Sequence, residues 1–518
     1  VVIDWLAARH WGVRAAIAIV SGVLTALGFQ PFGWWVLLPF GVAGLTLAVL
    51  GARRVRGAAG LGFAYGIGFL LLGVGWMQVI FVQAMFGLVG LEALFYAMLG
   101  AILKVATRSR WWPVLAAACW TGVEFTYARF PFNGFGWMRL GFAMVDSPLA
   151  WVLPLVGVGG LSFVTALVGQ GIAALAVAPI RRTSFTAGGV LVGVLALAGA
   201  GTLVPAGQQV GTVNTGYVQG GAPGGGVYGL GEPRTITRNH VAETYRLAER
   251  IDAGEVAKPD FVVLPENSTD MDPYSDAITG QLVSSAVERI GVPALVGVIL
   301  AGPGVDERQT ASLWWDPVAG EISRYIKRGI VPFGEWVPLR SLLLPIIPEL
   351  QYVGEQSVPG TTPGAMPVKL PDGRTTTLGI MVCYDLVYDD FAYDTVTYGG
   401  QVIVVQSSNA MYQGTGQIEQ QFAITRARAM ELRREILVVT TSGVSGLINA
   451  DGSIAFTAPD HVGASGVVTL PERTGQTPAT WLATWLELAI SLAALVWLAV
   501  TVSYGRMKQM APHPERST

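Results

Sequence analysis

Charge is scarce in this chain. Only 13% of its 518 residues are charged and 52% are apolar, whereas an ordinary soluble domain has about 25% charged residues. Cysteine is scarcer still, with two in the whole chain, and this excludes a small secreted fold held together by disulfides. The abundance of Leu, Val and Trp excludes a disordered chain. The composition therefore argues against a purely soluble protein.

The few charges are unevenly distributed. Residues 205–479 carry 18 basic and 29 acidic side chains, whereas the rest of the chain carries 15 and 6. This contrast indicates that differently built parts share one chain. Together with the two patterns described next, it predicts a membrane domain of seven helices over 1–204, an extracytoplasmic domain over 205–479, and a last transmembrane helix with a cytoplasmic tail over 480–518.

Apolar stretches of membrane-spanning length support this division. A hydrocarbon core of about 30 Å needs roughly 20 predominantly apolar residues per helix. Eight such stretches are present, and we predict a transmembrane helix in each. They lie near 11–29, 34–50, 59–81, 87–106, 112–128, 149–180, 186–204 and 481–503.

The connections between these stretches indicate an orientation. Basic residues favour the cytoplasmic side of a membrane. Of the 15 basic residues outside 205–479, only Arg129 and Arg139 fall opposite the other 13. This asymmetry predicts that both termini are cytoplasmic and that 205–479 is extracytoplasmic. Six or eight helices before that domain would destroy the asymmetry.

The segment 205–479 alternates between strand and helix patterns and ends in hairpins. Strands are predicted at 209–218, 261–264, 294–300, 313–315, 322–326, 376–382, 402–406 and 437–441, and helices at 234–252, 275–290 and 416–434. Such alternation is typical of a layered α/β sandwich. The glycine-rich segment Gly220–Gly231 lacks the strand-to-helix context of a phosphate-binding loop, so we interpret it as a mobile loop.

Three apolar runs in this domain end in reactive side chains. Glu266 follows Phe261–Leu264, Lys327 follows a strand pattern that ends at Ile326, and Cys383 follows Gly379–Val382. Burial at a strand end can raise the proton affinity of a carboxylate until it is a useful base. A base, a cation and a thiol together predict a covalent catalyst. By contrast, Cys119 lies inside an apolar stretch, and we interpret it as an inert core thiol.

The order of these residues resembles that in the nitrilase superfamily, in which Glu, Lys and Cys act on an αββα sandwich. With the surrounding helices, the chain is similar over nearly its whole length to the integral membrane branch of that superfamily, the apolipoprotein N-acyltransferases. The segments that carry the resemblance are Pro265-Glu266, Lys327-x-x-x-Val-Pro-Phe-Gly-Glu335 and Cys383-Tyr-Asp385.

This resemblance implies a role for each matched residue. Glu266 is expected to be the general base, Cys383 the nucleophile, and Lys327 the cation that stabilises the oxyanion. Glu335 resembles an additional carboxylate of the active site. The backbone N–H of Tyr384 is expected to assist Lys327.

One position departs from the family pattern. Two residues after the nucleophile the pattern has Glu, whereas this chain has Asp385. The shorter side chain keeps the charge but has less reach, so its role differs in detail. The triad itself is unaffected.

Two further segments are candidates for a groove that takes acyl chains. Leu339–Leu350 is unusually apolar, and we interpret it either as a lid that enters the outer leaflet or as a segment packed on its own domain. The Phe130–Phe142 loop either completes the groove or forms an interfacial aromatic belt. The predicted groove residues are Trp137, Arg139, Trp336, Leu343 and Ile346.

The resemblance also implies a reaction with two steps. Cys383 takes an acyl chain from a phospholipid as a thioester, and the α-amino group of a diacylglyceryl-modified N-terminal cysteine on a lipoprotein then accepts it. The expected setting is a monomer in the bacterial cytoplasmic membrane, in contact with the bilayer. No metal, organic cofactor or nucleic acid is expected, and four scattered histidines offer no metal-ligand spacing.

Two other functions remain open at this stage. One is a membrane-tethered nitrilase-like amidase that acts on small C–N substrates. The other is a transporter or receptor without catalysis, for which Glu92 and Glu124 would be the main intramembrane ionisable residues. Substitution of Cys383 by Ala separates them, because only an enzyme loses its function.

Overall fold

The apolar first part of the chain folds into a bundle of helices. The structure is a computed structural model, and it describes residues 2–177, 180–226, 229–460 and 462–510. The last residues of the predicted cytoplasmic tail, 511–518, lie outside the described residues. The helices of the bundle are α1 (Val2–Ala8), α2 (Trp11–Ala26), α3 (Leu37–Leu50), α4 (Val55–Gly73), α5 (Val82–Ala106), α6 (Trp112–Tyr127), α7 (Leu153–Val177) and α8 (Ile180–Thr202).

Several of these helices have the properties of membrane spans. Within the described part of the chain, four stretches are long and apolar enough to cross a membrane: Val55–Gly73, Val82–Ala106, Pro148–Val177 and Pro478–Ser503. Shorter apolar helices cover Trp11–Ala26, Leu37–Leu50 and Gly189–Thr202. The expectation of several apolar helices is confirmed, while the count of eight spans stays a prediction.

Small residues allow the helices of the bundle to pack closely. A Cβ atom added to Gly62 of α4 would overlap with the backbone oxygen of Tyr96 in α5, and one added to Gly100 would overlap with that of Ala58. Close backbone approach at glycine is typical of membrane helix pairs, which gain stability from van der Waals packing. These two glycines therefore fix the distance between α4 and α5.

The predicted single helix at 149–180 is interrupted. Gly157 in α7 has φ 68° and ψ −173°, outside the helical region. Glycine tolerates this conformation because it has no Cβ. The interruption leaves the N–H of Val158 free to donate to the carboxylate of Glu431, 3.0 Å away in the catalytic domain.

The second part of the chain contains two sheets. The first has the strand order β13-β1-β2-β3-β4-β5, with β6 paired to β4, and the second has the order β12-β11-β10-β9-β8-β7. The strands are β1 (Gln208–Gln219), β2 (Phe261–Val263), β3 (Ala294–Ala301), β4 (Glu307–Asp316), β5 (Gly320–Ile326), β6 (Gln356–Ser357), β7 (Ala365–Lys369), β8 (Thr375–Val382), β9 (Val402–Ser407), β10 (Ile436–Thr440), β11 (Gly446–Ile448), β12 (Ile454–Thr457) and β13 (Ala464–Thr474).

Helices cover both outer faces of this pair of sheets. They are α9 (Thr235–Asp252), α10 (Ala277–Ile290), α12 (Asp389–Thr397) and α13 (Gln417–Leu432). The short α11 (Arg340–Leu343) lies in the predicted lid, and the chain continues after the last strand into α14 (Pro478–Met510). α9 and α10 pack on the first sheet, whereas α12 and α13 belong to the same hydrophobic core as the second sheet. The αββα sandwich expected from the sequence is confirmed.

Side-chain alternation along the strands builds these layers, because successive residues of a strand point to opposite faces. Ile380 and Val404 pack between the two sheets. Met381 and Val405, one residue further along each strand, point the other way. They share one core with α12, α13 and the helices of the bundle. The helical layer of the catalytic domain thus rests directly on the membrane domain.

Candidate active site

Glu266 lies just beyond the end of β2, where the sequence predicts a buried base. Its side chain is 3% exposed. One carboxylate oxygen, Oε1, accepts a hydrogen bond from Lys327 Nζ at 2.8 Å. The other, Oε2, accepts from the backbone N–H of Ser408, 2.9 Å away after β9. The carboxylate is therefore held at both oxygens.

Lys327 follows β5 and is almost completely buried. Its ammonium group donates to Glu266 and also to Oε1 of Glu335, at 2.7 Å. The second oxygen of Glu335 accepts from the backbone N–H of Val331 at 2.8 Å. The structure thus brings three of the predicted residues together, with one cation placed between two carboxylates.

Cys383 begins a tight turn at the end of β8. Its φ of 49° lies in the left-handed region, which costs a residue with a side chain of order 1 kcal/mol and is common at functional sites. The thiol is free, and Gln421 Nε2 lies 3.4 Å from its sulfur. The thiol therefore lies between the end of β8 and helix α13, which carries Gln421.

Asp385 ties the cysteine turn to the lysine loop. Its Oδ1 accepts from the N–H of Gly329 at 2.6 Å. Its Oδ2 accepts from the N–H of Val382 at 2.9 Å and from the hydroxyl of Tyr325 at 2.9 Å. One carboxylate thus binds the residue before Cys383 and the loop that follows Lys327. Asp385 therefore fixes the relative position of Cys383 and Lys327.

Burial and charge set the protonation states of the site. Burial raises the pKa of Glu266, and the neighbouring charge of Lys327 opposes the rise. Burial would lower the pKa of Lys327, but the charges of Glu266 and Glu335 outweigh it and raise that pKa well above its usual value. Burial, together with the charge of Glu266, raises the pKa of Cys383. The site therefore favours a charged Lys327, and the thiol of Cys383 holds its proton more tightly than a free thiol does.

An aromatic wall stands beside the thiol. The ring of Tyr384 stacks on Trp137, with centroids 6.2 Å apart and planes 11° apart, and also on Phe135 at 6.3 Å. The hydroxyl of Tyr384 donates to the backbone oxygen of Gly134. Two predicted residues, Trp137 and Tyr384, are thus brought together, and a loop of the membrane domain forms this wall.

The wall is fixed by a residue that the sequence did not single out. Gln420 Oε1 accepts from the indole N–H of Trp137 at 2.8 Å and from that of Trp76 at 3.0 Å. Its Nε2 donates to the backbone oxygens of Gln30 and Gly73, both at 2.9 Å. Its hydrogen-bond partners lie in three separate segments of the membrane domain. The only signal in the sequence is a pair of adjacent glutamines in an otherwise amphipathic helix.

The predicted lid lies between two environments. Leu343 packs with Val337, Leu350 and Phe81, which precedes α5. Ile346 is 68% exposed. Trp336 lies edge-on to Phe132, at 6.5 Å between ring centroids. One side of the predicted lid is therefore packed and the other is exposed, and its entry into the outer leaflet stays a prediction. The Phe130–Phe142 loop contacts the base of the lid through Phe132.

Arg139 does not line a groove. It is 1% exposed, and it forms ion pairs with Asp389 at 2.8 Å and with Glu487 of α14 at 2.7 Å. Arg428 of α13 pairs with the same Asp389 at 2.8 Å and with Glu431 at 2.5 Å. Arg139 is therefore enclosed in ion pairs that join the membrane domain to the catalytic domain, and it does not face the predicted groove. The sequence could not indicate this, because both carboxylate partners lie far along the chain.

Metal ligands were not expected. Within the described ranges, no three or more His, Cys, Asp or Glu side chains are placed to hold a metal ion. Of the four histidines, His240 is buried in α9, while His461 and His513 lie outside the described residues.

Two helix-flanked sheets with a Glu, a Lys and a Cys at strand ends define the class of protein, a carbon-nitrogen hydrolase domain of the nitrilase type. Residues 257–478 match the family model described as carbon-nitrogen hydrolase. Residues 21–171 match the model described as the apolipoprotein N-acyltransferase N-terminal domain.

Relatives with the same name cover most of the chain. An apolipoprotein N-acyltransferase from Mycolicibacterium smegmatis is 28% identical over 459 residues, 84% of this chain and 76% of the relative. Another, from Haemophilus influenzae, is 24% identical over 503 residues, 93% of each chain. A solved amidase from Nesterenkonia sp. is 16% identical and covers 55% of this chain and 98% of its own, with a TM-score of 0.38. The chain belongs to the apolipoprotein N-acyltransferase family.

Proposed function

We propose that this chain transfers an acyl chain from a phospholipid to the α-amino group of a diacylglyceryl-modified N-terminal cysteine of a lipoprotein. Its relatives are named for N-acyl transfer to apolipoproteins. The observation that carries the mechanism is the buried lysine held between two carboxylates beside a free thiol on a strained turn.

In the first step Cys383 attacks the ester carbonyl of the phospholipid. Its proton passes to Glu266 as the carbon–sulfur bond forms, and the electron pair of the carbonyl moves to oxygen. Lys327 and the backbone N–H of Tyr384 stabilise this oxyanion. Collapse expels the alkoxide, which takes the proton from Glu266. The products are a lysophospholipid and a thioester.

The second step runs the same groups in reverse. The α-amino nitrogen of the lipoprotein attacks the thioester carbon and loses a proton to Glu266. Collapse of the tetrahedral intermediate breaks the carbon–sulfur bond, and the sulfur recovers a proton from Glu266. The fixed Glu335 keeps Lys327 in place through both steps, since it accepts from the same ammonium group.

The surroundings of the site suit lipid substrates. The aromatic wall of Trp137 and Tyr384 joins the catalytic domain to the membrane domain, and the lid exposes Leu339, Leu342 and Ile346. Apolar side chains exposed beside a membrane are suited to contact with its lipids. The proposed groove therefore opens where an acyl chain leaves the bilayer.

The proposed topology has eight spans, both termini in the cytoplasm and the catalytic domain outside the bacterial cytoplasmic membrane. Arg129 and Arg139, the two basic residues on the side poor in positive charge, contact Asp389 of the catalytic domain. This contact supports placing the domain on the extracytoplasmic side. We propose that the protein works there as a monomer without metal or cofactor.

The test is the covalent intermediate. The purified full-length protein in micelles is incubated with a phospholipid that carries a labelled acyl chain, and intact mass spectrometry detects the adduct. We expect a hydroxylamine-sensitive adduct with the wild type and with Cys119→Ala, and none with Cys383→Ala. Cys119 is the matched control because it is the second cysteine and is buried in α6.

Two results would overturn the proposal. One is the absence of an adduct in folded wild-type protein. The other is an adduct that survives in Cys383→Ala. Hydrolysis of small amides without any lipid adduct would instead support the amidase hypothesis.

A further inference from the structure

Gln421 is a buried polar residue to which the mechanism above gives no role. It lies on α13 and is 4% exposed. Its side-chain nitrogen Nε2 is 3.4 Å from Cys383 Sγ, within the range of an N–H donor to sulfur. Since the sulfur is the reacting atom, a hydrogen-bond donor at this distance contacts the reacting atom itself.

Rigid contacts hold the amide of Gln421 in this position. The preceding residue, Gln420, is locked to three segments of the membrane domain. About two turns later, Arg428 Nε donates to the backbone oxygen of Leu386 at 2.8 Å, and Leu386 lies in the same tight turn as Cys383. α13 is therefore fixed to the cysteine turn on one side and to the membrane domain on the other.

The electrostatic surroundings of the sulfur disfavour a negative charge, which a hydrogen bond from Gln421 would stabilise. Burial and the charges of Glu266 and Glu335 disfavour a negative charge on the sulfur of Cys383, and Lys327, which pairs with both carboxylates, offsets this only in part. Among the side chains that the structure describes, Gln421 supplies the hydrogen bond to the sulfur. A donor to an anion contributes about twice as much as a donor to a neutral group.

We propose that Gln421 is a catalytic residue that donates a hydrogen bond to the sulfur of Cys383 whenever that sulfur carries negative charge. The charge develops as the thiol proton moves to Glu266 during attack on the ester. It develops again when the carbon–sulfur bond of the second intermediate breaks and the bonding pair stays on sulfur. Gln421 gives up no proton in either step. The proposal rests on the proposed function only for the identity of the acyl donor.

The test uses the full-length protein in micelles and iodoacetamide, which reacts with the thiolate and needs no lipid. Peptide mass spectrometry follows Cys383 separately from Cys119. The variants are Gln421→Met, which removes the donor, and Gln421→Glu, which keeps the volume of Gln but presents a carboxylate. Gln417→Met is the matched control, because Gln417 is equally buried on the same helix one turn earlier.

We expect Gln421→Met to lower the alkylation rate of Cys383 about tenfold, the scale of one hydrogen bond to a charged group. Gln421→Glu should lower it further, and Gln417→Met should react at the wild-type rate. Thermal unfolding confirms that each variant is folded.

Two results would overturn the proposal. In the first, both Gln421 variants react within twofold of the wild type. In the second, Gln421→Glu reacts at the wild-type rate while Gln421→Met is slow, which would assign Gln421 a packing role. If the variants behave as expected but wild-type protein forms no lipid thioester, the proposed acyl donor is wrong and the role of Gln421 stands.

Discussion

Two buried groups of charges can be compared in this molecule. At the active site one cation, Lys327, is held between the carboxylates of Glu266 and Glu335. At the junction with the membrane domain, Arg139, Arg428 and Arg129 face Asp389, Glu431 and Glu487. Charges balance at the junction, whereas the active site has an excess of carboxylate. The comparison indicates that equal numbers of opposite charges hold the two domains together at the junction. At the active site, the excess of carboxylate leaves Glu266 available as a base.

The largest expected effect is the loss of the single cation at the active site. Lys327→Met should slow thioester formation on the order of 10³-fold, because the oxyanion loses its charged donor and two buried carboxylates lose their shared partner. The measurement is single-turnover formation of the labelled adduct.

Lys369→Met is the control for this prediction, since Lys369 is exposed on β7 and should react as the wild type does. A rate for Lys327→Met within tenfold of the wild type would contradict the distinction between a catalytic charge group at the active site and a stabilising one at the junction.

Substitutions at the junction should lower the stability of the protein more than its activity. Arg139→Met leaves Asp389 and Glu487 with one buried partner fewer, and breaking a buried pair costs about 3–5 kcal/mol. Arg129→Met should cost less than about 1 kcal/mol, because the Arg129 side chain is 32% exposed. Denaturant unfolding in micelles measures both. Equal losses would contradict the view of Arg139 as the centre of the junction.

The smallest expected effect is a shift in pH dependence. Glu266 accepts a proton only when it is ionised, and burial raises its pKa. The rate of thioester formation should therefore fall as the pH drops through a value above that of an ordinary glutamate. The charge of Glu335 adds to the rise, so Glu335→Gln should move this acid limb to lower pH.

The control for the pH profile is Glu419→Gln, since Glu419 is exposed on α13. Its acid limb should coincide with that of the wild type. A limb that moves to higher pH in Glu335→Gln would show that Glu335 does not raise the proton affinity of Glu266.

The sequence was sufficient where a feature depends on a short apolar run and the residue that ends it. Glu266, Lys327 and Cys383 each end such a run, and the strands that place them lie where the pattern predicts. The sandwich follows from alternation along the same strands. Both depend on residues close together in the chain.

The sequence was insufficient where a contact joins distant segments. Arg139 and Asp389 are 250 positions apart, so nothing local distinguishes Arg139 from an interfacial residue. For the same reason the sequence does not indicate the role of Gln421, since its partner Cys383 lies 38 positions away. Glu124 looked like a residue of a transport path, but its carboxylate accepts from the N–H of Leu140 at 3.0 Å and supports the loop that ends the aromatic wall.

The helical layer formed by α12 and α13 has a consequence for the chain as a whole. One continuous hydrophobic core includes Val396 and Phe422 of this layer and Leu161 of the membrane domain. If the catalytic domain were excised, this face would meet water, and the pair of Asp389 with Arg428 would lose its third partner, Arg139. The two domains therefore depend on each other for the burial of this face.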